Sequence, residues 1–260
     1  MLNGYKHLMI YIIFAFFLFV FLPCSWADLP QTIIKIKPSI VGVGTVLPTR
    51  QPPGRLMGTG FAVGSGQFIV TNAHVIPERL EEEKNEFLAV FVGIGREAET
   101  RSAKLVQTDE IHDLALLKVS GKKLPAMTLG RTDEALEGKL YAFSGFPIGA
   151  VLGLYPVTHR GIVSAISPVA IPVDTSKTLD VQMIRRLRNP YNVLQLDATA
   201  YPGNSGSPLY EIDSGRVIGV INKVFIKETK EKVLEKPSGI SYAIPVDFVR
   251  ELLLKEKVAF

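Results

Sequence analysis

Cysteine is almost missing from this chain. Cys24 is the only one in 260 residues, which excludes an intramolecular disulfide and any zinc or iron–sulfur site built on cysteine clusters. Histidine is scarce as well, four in all and none in an H-E-x-x-H pair, so no metalloprotease-type site is expected. There is no Walker A pattern. Gly58-Thr59-Gly60 is not a dinucleotide fingerprint, because Gly64 comes one position late and a strand, not a helix, follows. Charge of one sign is not concentrated anywhere: 29 Lys and Arg against 25 Asp and Glu are scattered in both signs, and no basic block marks a nucleic-acid footprint. No cofactor is implied. What remains is a folded globular composition, with enough chain to build a core without crosslinks.

One long apolar run does occur, at the start. Leu8 to Leu22 is unbroken, preceded by Lys6 and His7 and followed by Pro23, Cys24, Ser25, Trp26 and Ala27. This is the anatomy of a secretory signal, with small residues at Ser25 and Ala27 suiting a cut before Asp28. Residues 1–27 are therefore expected to be a signal peptide. The competing readings are an uncleaved anchor, since no charge falls between residues 8 and 27, and a lipid-modified Cys24, which Pro23 disfavours. Export, to the periplasm or medium, is the expected localisation, with contact to the membrane only if the segment stays.

The rest of the chain holds no repeat of solenoid type and reads as many short strands. Apolar, β-branched runs recur at Ile40–Val46, Phe68–Thr71, Leu88–Val92, Leu114–Val119, Leu140–Phe143, Gly161–Ile166 and Val217–Val224, punctuated by turns such as Pro52-Pro53-Gly54 and Asp213-Ser214-Gly215. Such spacing suggests barrels or sandwiches. Helix is expected only after Pro77 and at Val246–Lys257. The polar stretch Gly130–Gly138 divides the chain, giving residues 28–130 and 131–260 as the two expected units.

Three local patterns bear on chemistry. The strand Phe68–Thr71 runs into Asn72-Ala73-His74, delivering a histidine from a small-residue turn. Asp113 opens the nearly all-apolar run Leu114–Val119, where an acid at risk of burial needs a partner. Ser205 lies between Gly203-Asn204 and Gly206-Ser207-Pro208, a loop whose glycines permit inward-pointing amides. Each alone is an ordinary turn. Together they supply a nucleophile, a base and an acid that orients the base. Their order along the chain is His, Asp, Ser. The α/β-hydrolase order needs a histidine after the serine, and none follows His159; Ser207 also breaks the G-x-S-x-G elbow. The subtilisin order needs an aspartate before the histidine, and only Asp28 is there.

With these residues the sequence resembles the chymotrypsin-like serine proteases, in particular the bacterial HtrA or Deg type. The matching stretches are Gly58-Thr59-Gly60-Phe61, Thr71-Asn72-Ala73-His74, Asp113-Leu114-Ala115-Leu116-Leu117, Gly203-Asn204-Ser205-Gly206 and Gly239-Ile240-Ser241-Tyr242-Ala243-Ile244-Pro245, from about residue 38 to about residue 255. The resemblance implies an all-β fold of two six-stranded antiparallel β-barrels with a short C-terminal helix. His74 and Asp113 would come from the first barrel and Ser205 from the second. It implies a serine endopeptidase acting through an acyl-enzyme on unfolded or extended proteins, with an oxyanion hole at the N–H groups of Gly203 and Ser205. Thr199, Ile221 and Asn222 are its implied substrate-binding residues. Thr199 stands at the pocket floor without charge, which argues against cleavage after Lys or Arg. Protein or peptide substrates are the implied partners, and a trimer is a further implication.

The departures are informative. Asn204 replaces the aspartate that pairs with a new amino terminus in the digestive branch, so activation by trimming is not expected. Ser207 stands where glycine is usual. Only 55 residues follow Ser205, so a PDZ domain after the protease unit is not expected. The connector between Ile166 and Leu194 is long and carries Arg185, Arg186 and Arg188; it reads as a solvated loop, with a cover over the cleft as the sharper alternative. His112, next to Asp113, is expected to be exposed, because neighbours on a strand face opposite ways. His159 is expected to be structural. The rival function is a catalytically silent, protease-shaped module that binds peptides.

Overall fold

A computed structural model describes residues 28–95, 98–148, 153–169, 190–222 and 239–260. The apolar run at 8–22 and residues 170–189 of the connector lie outside these. Among the described residues, twelve strands form two closed barrels. In the first are β1 (Ile40–Val46), β2 (Gly54–Val63), β3 (Phe68–Thr71), β4 (Phe87–Val92), β5 (Glu99–Asp109) and β6 (Leu114–Val119), in the spatial order β1-β2-β3-β6-β5-β4. The second comprises β7 (Leu140–Gly145), β8 (Val157–Pro168), β9 (Asn192–Asp197), β10 (Pro208–Glu211), β11 (Val217–Asn222) and β12 (Ile240–Pro245), ordered β10-β11-β12-β9-β8-β7. Every strand pairing within them is antiparallel. This is the chymotrypsin-like architecture.

The strands that read as continuous apolar runs do so because both their faces are covered. On β6, Leu117 and Val119 fill the first barrel while Leu114 and Leu116 face a third cluster between the barrels. On β7, Tyr141 and Phe143 fill the second barrel while Ala142 joins that same seam. Phe61, Val70, Phe146, Tyr210 and Val220 complete the seam, and the C-terminal helix (Val246–Lys255, called α2 below) closes it with Val249, Leu252 and Leu253. At about 25 cal/mol per Å², burying apolar area here binds the two barrels by the same force that fills each one.

Two helix expectations change. Residues after Pro77 form only a single 3-10 turn, Glu82–Lys84. Glu78, Glu81 and Glu82 fall at i, i+3 and i+4 spacing, where like charges oppose a helix. An unexpected helix α1 spans Leu29–Ile36, with Pro30 at its first turn and Thr32 and Ile36 buried against the turn at Gly215. α2 ends at Lys255, slightly short of the expected Lys257.

The turn after β10 is held by charge. Glu211 accepts from Lys139 Nζ at 2.7 Å, Ser214 Oγ at 2.8 Å and Arg216 Nη2 at 3.1 Å, and Arg216 also reaches Glu134 at 3.3 Å. Burial opposes ionisation of Glu211, but the bonds from Lys139, Ser214 and Arg216 outweigh it and hold the carboxyl below its ordinary 4.5. A depressed value in the fold means stability that is present above the unfolded value and lost as pH falls through the folded one. Glu211→Gln is therefore expected to unfold at lower urea than wild type at pH 7, with the gap closing below pH 4.5. A gap that stayed constant down to pH 3 would show that the cluster adds nothing through its charge.

Candidate active site

β3 and β6 are hydrogen-bonded neighbours with Thr71 opposite Ala115, so the residues just past the end of one strand meet those just before the other. His74 lies on a 3-10 turn, Ala73–Val75. Asp113 ends the turn that precedes β6, in the left-handed region at φ 54°, a conformation that aspartate tolerates better than most residues. Its main-chain oxygen accepts from Ala73 N at 3.1 Å and Asn72 Nδ2 at 3.0 Å. The carboxylate takes three more donors. Oδ1 accepts from the main-chain N–H of His74 at 2.9 Å, while Oδ2 meets His74 Nδ1 at 2.6 Å and Asn222 Nδ2 at 2.7 Å. Such charge-assisted bonds contribute about 1.5–3 kcal/mol each, which offsets the burial of an acid that is only 5% exposed. The His74 side chain keeps 33% of its surface.

Ser205 is carried by a loop that main-chain bonds stitch to both barrels. Thr59 N–H on β2 donates to Ser205 O at 2.8 Å, and Thr59 Oγ1 donates to Gly203 O at 2.7 Å. Gly206 N–H donates to Ile221 O at 2.9 Å, and Ile221 N–H to Ser207 O at 2.8 Å. Glycine is obligatory at 206: φ is 86°, and a Cβ would stand 2.1 Å from Thr59 O. Gly145 faces the same loop, with Ser207 Oγ 2.0 Å from where its Cβ would be. The Ser207 side chain thus uses room that only a glycine at 145 leaves. Asn204 is fully buried, and its amide atoms, like Ser207 Oγ, have no hydrogen-bond partner among the described residues.

The same stitching orients the amides. Ile148 N–H donates to Pro202 O at 2.6 Å. Across a trans peptide the C=O and N–H point opposite ways, so the Gly203 N–H is aimed away from Ile148. Neither it nor the Ser205 N–H donates to an acceptor among the described residues. Gly203 holds φ 99° in doing so.

The structure therefore brings His74, Asp113 and the Ser205 loop to one seam, joined by Thr59 from β2 and Asn222 from β11. Thr59 is a residue the sequence reading passed over. Its signal is the flanking pair of glycines: a Cβ on Gly58 would meet Val75 at 2.6 Å and Ser205 O at 3.0 Å, and one on Gly60 would meet Ile69 at 2.6 Å. Among the three expected substrate-binding residues, Thr199 is half-buried, Ile221 is enclosed in the second barrel, and Asn222, 1% exposed, sends its amide to Asp113. His112 corrects an expectation. It is not on a strand but in the turn before β6, with its side chain only 16% exposed, bonded to Asp109 and stacked on Phe248. His159 stacks on Phe143 at 4.9 Å; burial pushes its imidazole below the usual 6.5.

Residues 58–220 match the trypsin-like peptidase domain. The chain belongs to that family. Within it, the chain is 34% identical over 209 residues to a probable periplasmic serine endoprotease, DegP-like, of Halomonas elongata, which takes in 77% of this chain and 37% of that one. It is 30% identical over 230 residues to the serine protease HTRA1 of Xenopus laevis, covering 86% of this chain and 42% of that relative. The chain thus spans well under half the length of these curated relatives. Among solved structures, an HtrA-type protease with a tripeptide superimposes with a TM-score of 0.60 at 25% identity, over 87% of this chain and 62% of that one. The peptidase fold accounts for both barrels, and the seam between them is where His74, Asp113 and Ser205 lie.

Proposed function

We propose that this chain is an exported serine endopeptidase that cuts extended protein segments. The observation that carries the reading is the pairing of His74 Nδ1 with Asp113 Oδ2 at 2.6 Å, beside a serine loop built from main-chain bonds. With Nδ1 committed to the carboxylate, Nε2 is the nitrogen left to take a proton. Ser205 Oγ attacks the peptide carbonyl as His74 accepts its proton, and the N–H groups of Gly203 and Ser205 hold the oxyanion, each such donor contributing about 3–4 kcal/mol in related sites. His74 then returns the proton to the leaving amine. Water, deprotonated in turn by His74, releases the acyl group from Ser205 and restores the hydroxyl.

Asp113 fixes the imidazole tautomer and stabilises its charged form. Asn222 supports that carboxylate from the second barrel, so the acid is held across the seam and not by its own strand alone. An extended substrate suits a strand-built cleft, where it adds as one more strand, and the uncharged Thr199 suits uncharged side chains before the cut. Export is supported by the apolar run at 8–22 and by relatives described as periplasmic. Hydrolysis of casein by residues 28–260, assayed against the Ser205→Ala form, tests the reading: turnover confined to the wild type supports it. Equal peptide binding by both forms with turnover by neither would replace it with the peptide-binding module.

A further inference from the structure

Asp113 owes its position to more than its own bonds. The residue before it, His112, is clamped from three sides by parts of both barrels. From the end of β5, Asp109 Oδ2 meets His112 Nδ1 at 2.7 Å, while Asp109 Oδ1 accepts from the main-chain N–H groups of Ile111 and His112, each at 3.1 Å. From α2, the Phe248 ring lies flat on the imidazole with centroids 3.6 Å apart and planes at 16°. From just before β9, Tyr191 meets it edge-on at 4.6 Å and 68°, and the Tyr191 hydroxyl donates to Ile111 O at 3.3 Å. Tyr191 and Phe248 also touch each other, at 5.2 Å.

The next residue in the chain is the strained one. Asp113 sits at φ 54°, and its two carboxylate oxygens must meet His74 and Asn222 together. A turn free to relax would rotate that carboxylate, because one residue in the left-handed region is easily exchanged for another conformation. The charged groups around the clamp favour it. Burial opposes ionisation of Asp109, but His112 and the charge of Lys255 on α2 outweigh that and hold its carboxyl below the usual 3.8.

We infer that His112 is a positioning residue for catalysis: its ring, pinned by Asp109, Phe248 and Tyr191, lets the second barrel and the C-terminal helix fix the turn that presents Asp113 to His74. This rests on the endopeptidase reading. Its chemistry is indirect, since His112 acts on the orientation of the carboxylate and through it on the basicity of His74.

The test compares wild type, His112→Ala and His112→Phe on a chromogenic peptide, with rates normalised to sites titrated by a serine-directed phosphonate. His112→Phe keeps the ring stack and loses the bond to Asp109. For His112→Ala, kcat is expected to fall on the order of tenfold, the scale of one lost charge-assisted bond, with KM within about twofold. The acid limb of the kcat profile should move to lower pH, because a tilted Asp113 supports the charged imidazole less well. His112→Phe should fall between the two, and it carries the test if the alanine form does not fold. A purely structural role would lower the number of titratable sites and the melting temperature while leaving kcat per site and the acid limb where they were; that result overturns the inference. Failure of the endopeptidase reading is visible separately, as wild-type protein that neither turns over nor is labelled. In that event the NMR resonance of the His74 Nδ1 proton, which reports the bond to Asp113, decides instead: a shift in the His112 variants supports the clamp, and an unmoved resonance rejects it.

Discussion

Ser205→Ala is expected to lower kcat by on the order of 10⁶, the loss seen when a serine nucleophile is removed from a comparable triad, while leaving the fold and peptide binding as they are. The geometry separates these effects. Every bond described for the Ser205 loop is a main-chain bond or comes from a neighbour: Thr59 N–H to Ser205 O, Gly206 N–H to Ile221 O, Ser207 N–H to Asn204 O at 3.0 Å. None needs the Ser205 hydroxyl. The alanine form should therefore melt at the wild-type temperature and bind a peptide with the wild-type dissociation constant. Residual turnover within about tenfold of wild type would mean that another group carries the chemistry.

Asp113→Asn is the second large effect, and its cause is a mismatch of donors. Three N–H groups converge on the carboxylate, from the main chain of His74, from His74 Nδ1 and from Asn222 Nδ2. A carboxylate accepts all three; an amide offers one oxygen and one NH₂. The NH₂ cannot face the main-chain N–H of His74, which has no alternative form. It must turn to the Oδ2 position, where Asn222 can flip its own amide to present an oxygen. His74 can answer only by moving its proton to Nε2, the nitrogen that has to accept from Ser205. The structure survives and the tautomer is wrong, which in chymotrypsin-type triads costs about 10⁴ in kcat. Near-neutral pH kinetics on the purified variant check this, with circular dichroism confirming the fold. A loss below about tenfold would show that Asp113 does not set the tautomer.

The residues these predictions concern were legible unequally. His74 and Asp113 stood out because one follows and the other opens a strongly apolar strand, and Ser205 because glycines flank it in a tight loop. Ile40–Val46 and Leu114–Val119 were readable to the residue, since both faces are covered and the apolar run has the length of the strand. β5 and β9 were not: exposed polar residues interrupt β5, while β9 has exposed polar ends and the half-buried Gln195 within it. β8 extends well beyond its readable part, Gly161–Ile166, to Val157–Pro168, because its ends are only half-buried. Helix α1 was hidden by the expectation of a cleavage point just before it.

Long-range contacts left no local trace. Asn222 lies 109 positions from Asp113, and nothing near either residue announces the bond. The exposure expected for His112 came from applying strand alternation one residue too early: the chain at 110–113 is a turn, where period two does not hold. Phe248 and Tyr191, which cover it, belong to α2 and to the approach to β9, far along the chain. The glycines of Gly58-Thr59-Gly60 were visible, but their reason, close contact with Val75, Ile69 and the Ser205 main chain, exists only in the folded molecule.

The central claim is that His74 makes one serine hydroxyl a nucleophile at this seam, and covalent labelling tests it most directly. Residues 28–260 treated with a serine-directed phosphonate, digested and mapped by mass spectrometry should carry a single adduct on Ser205, formed at least a hundredfold more slowly in His74→Ala, in line with the roughly 10²–10⁴-fold contribution of a general base. No adduct, an adduct on a different serine, or equal labelling without the imidazole would contradict the account.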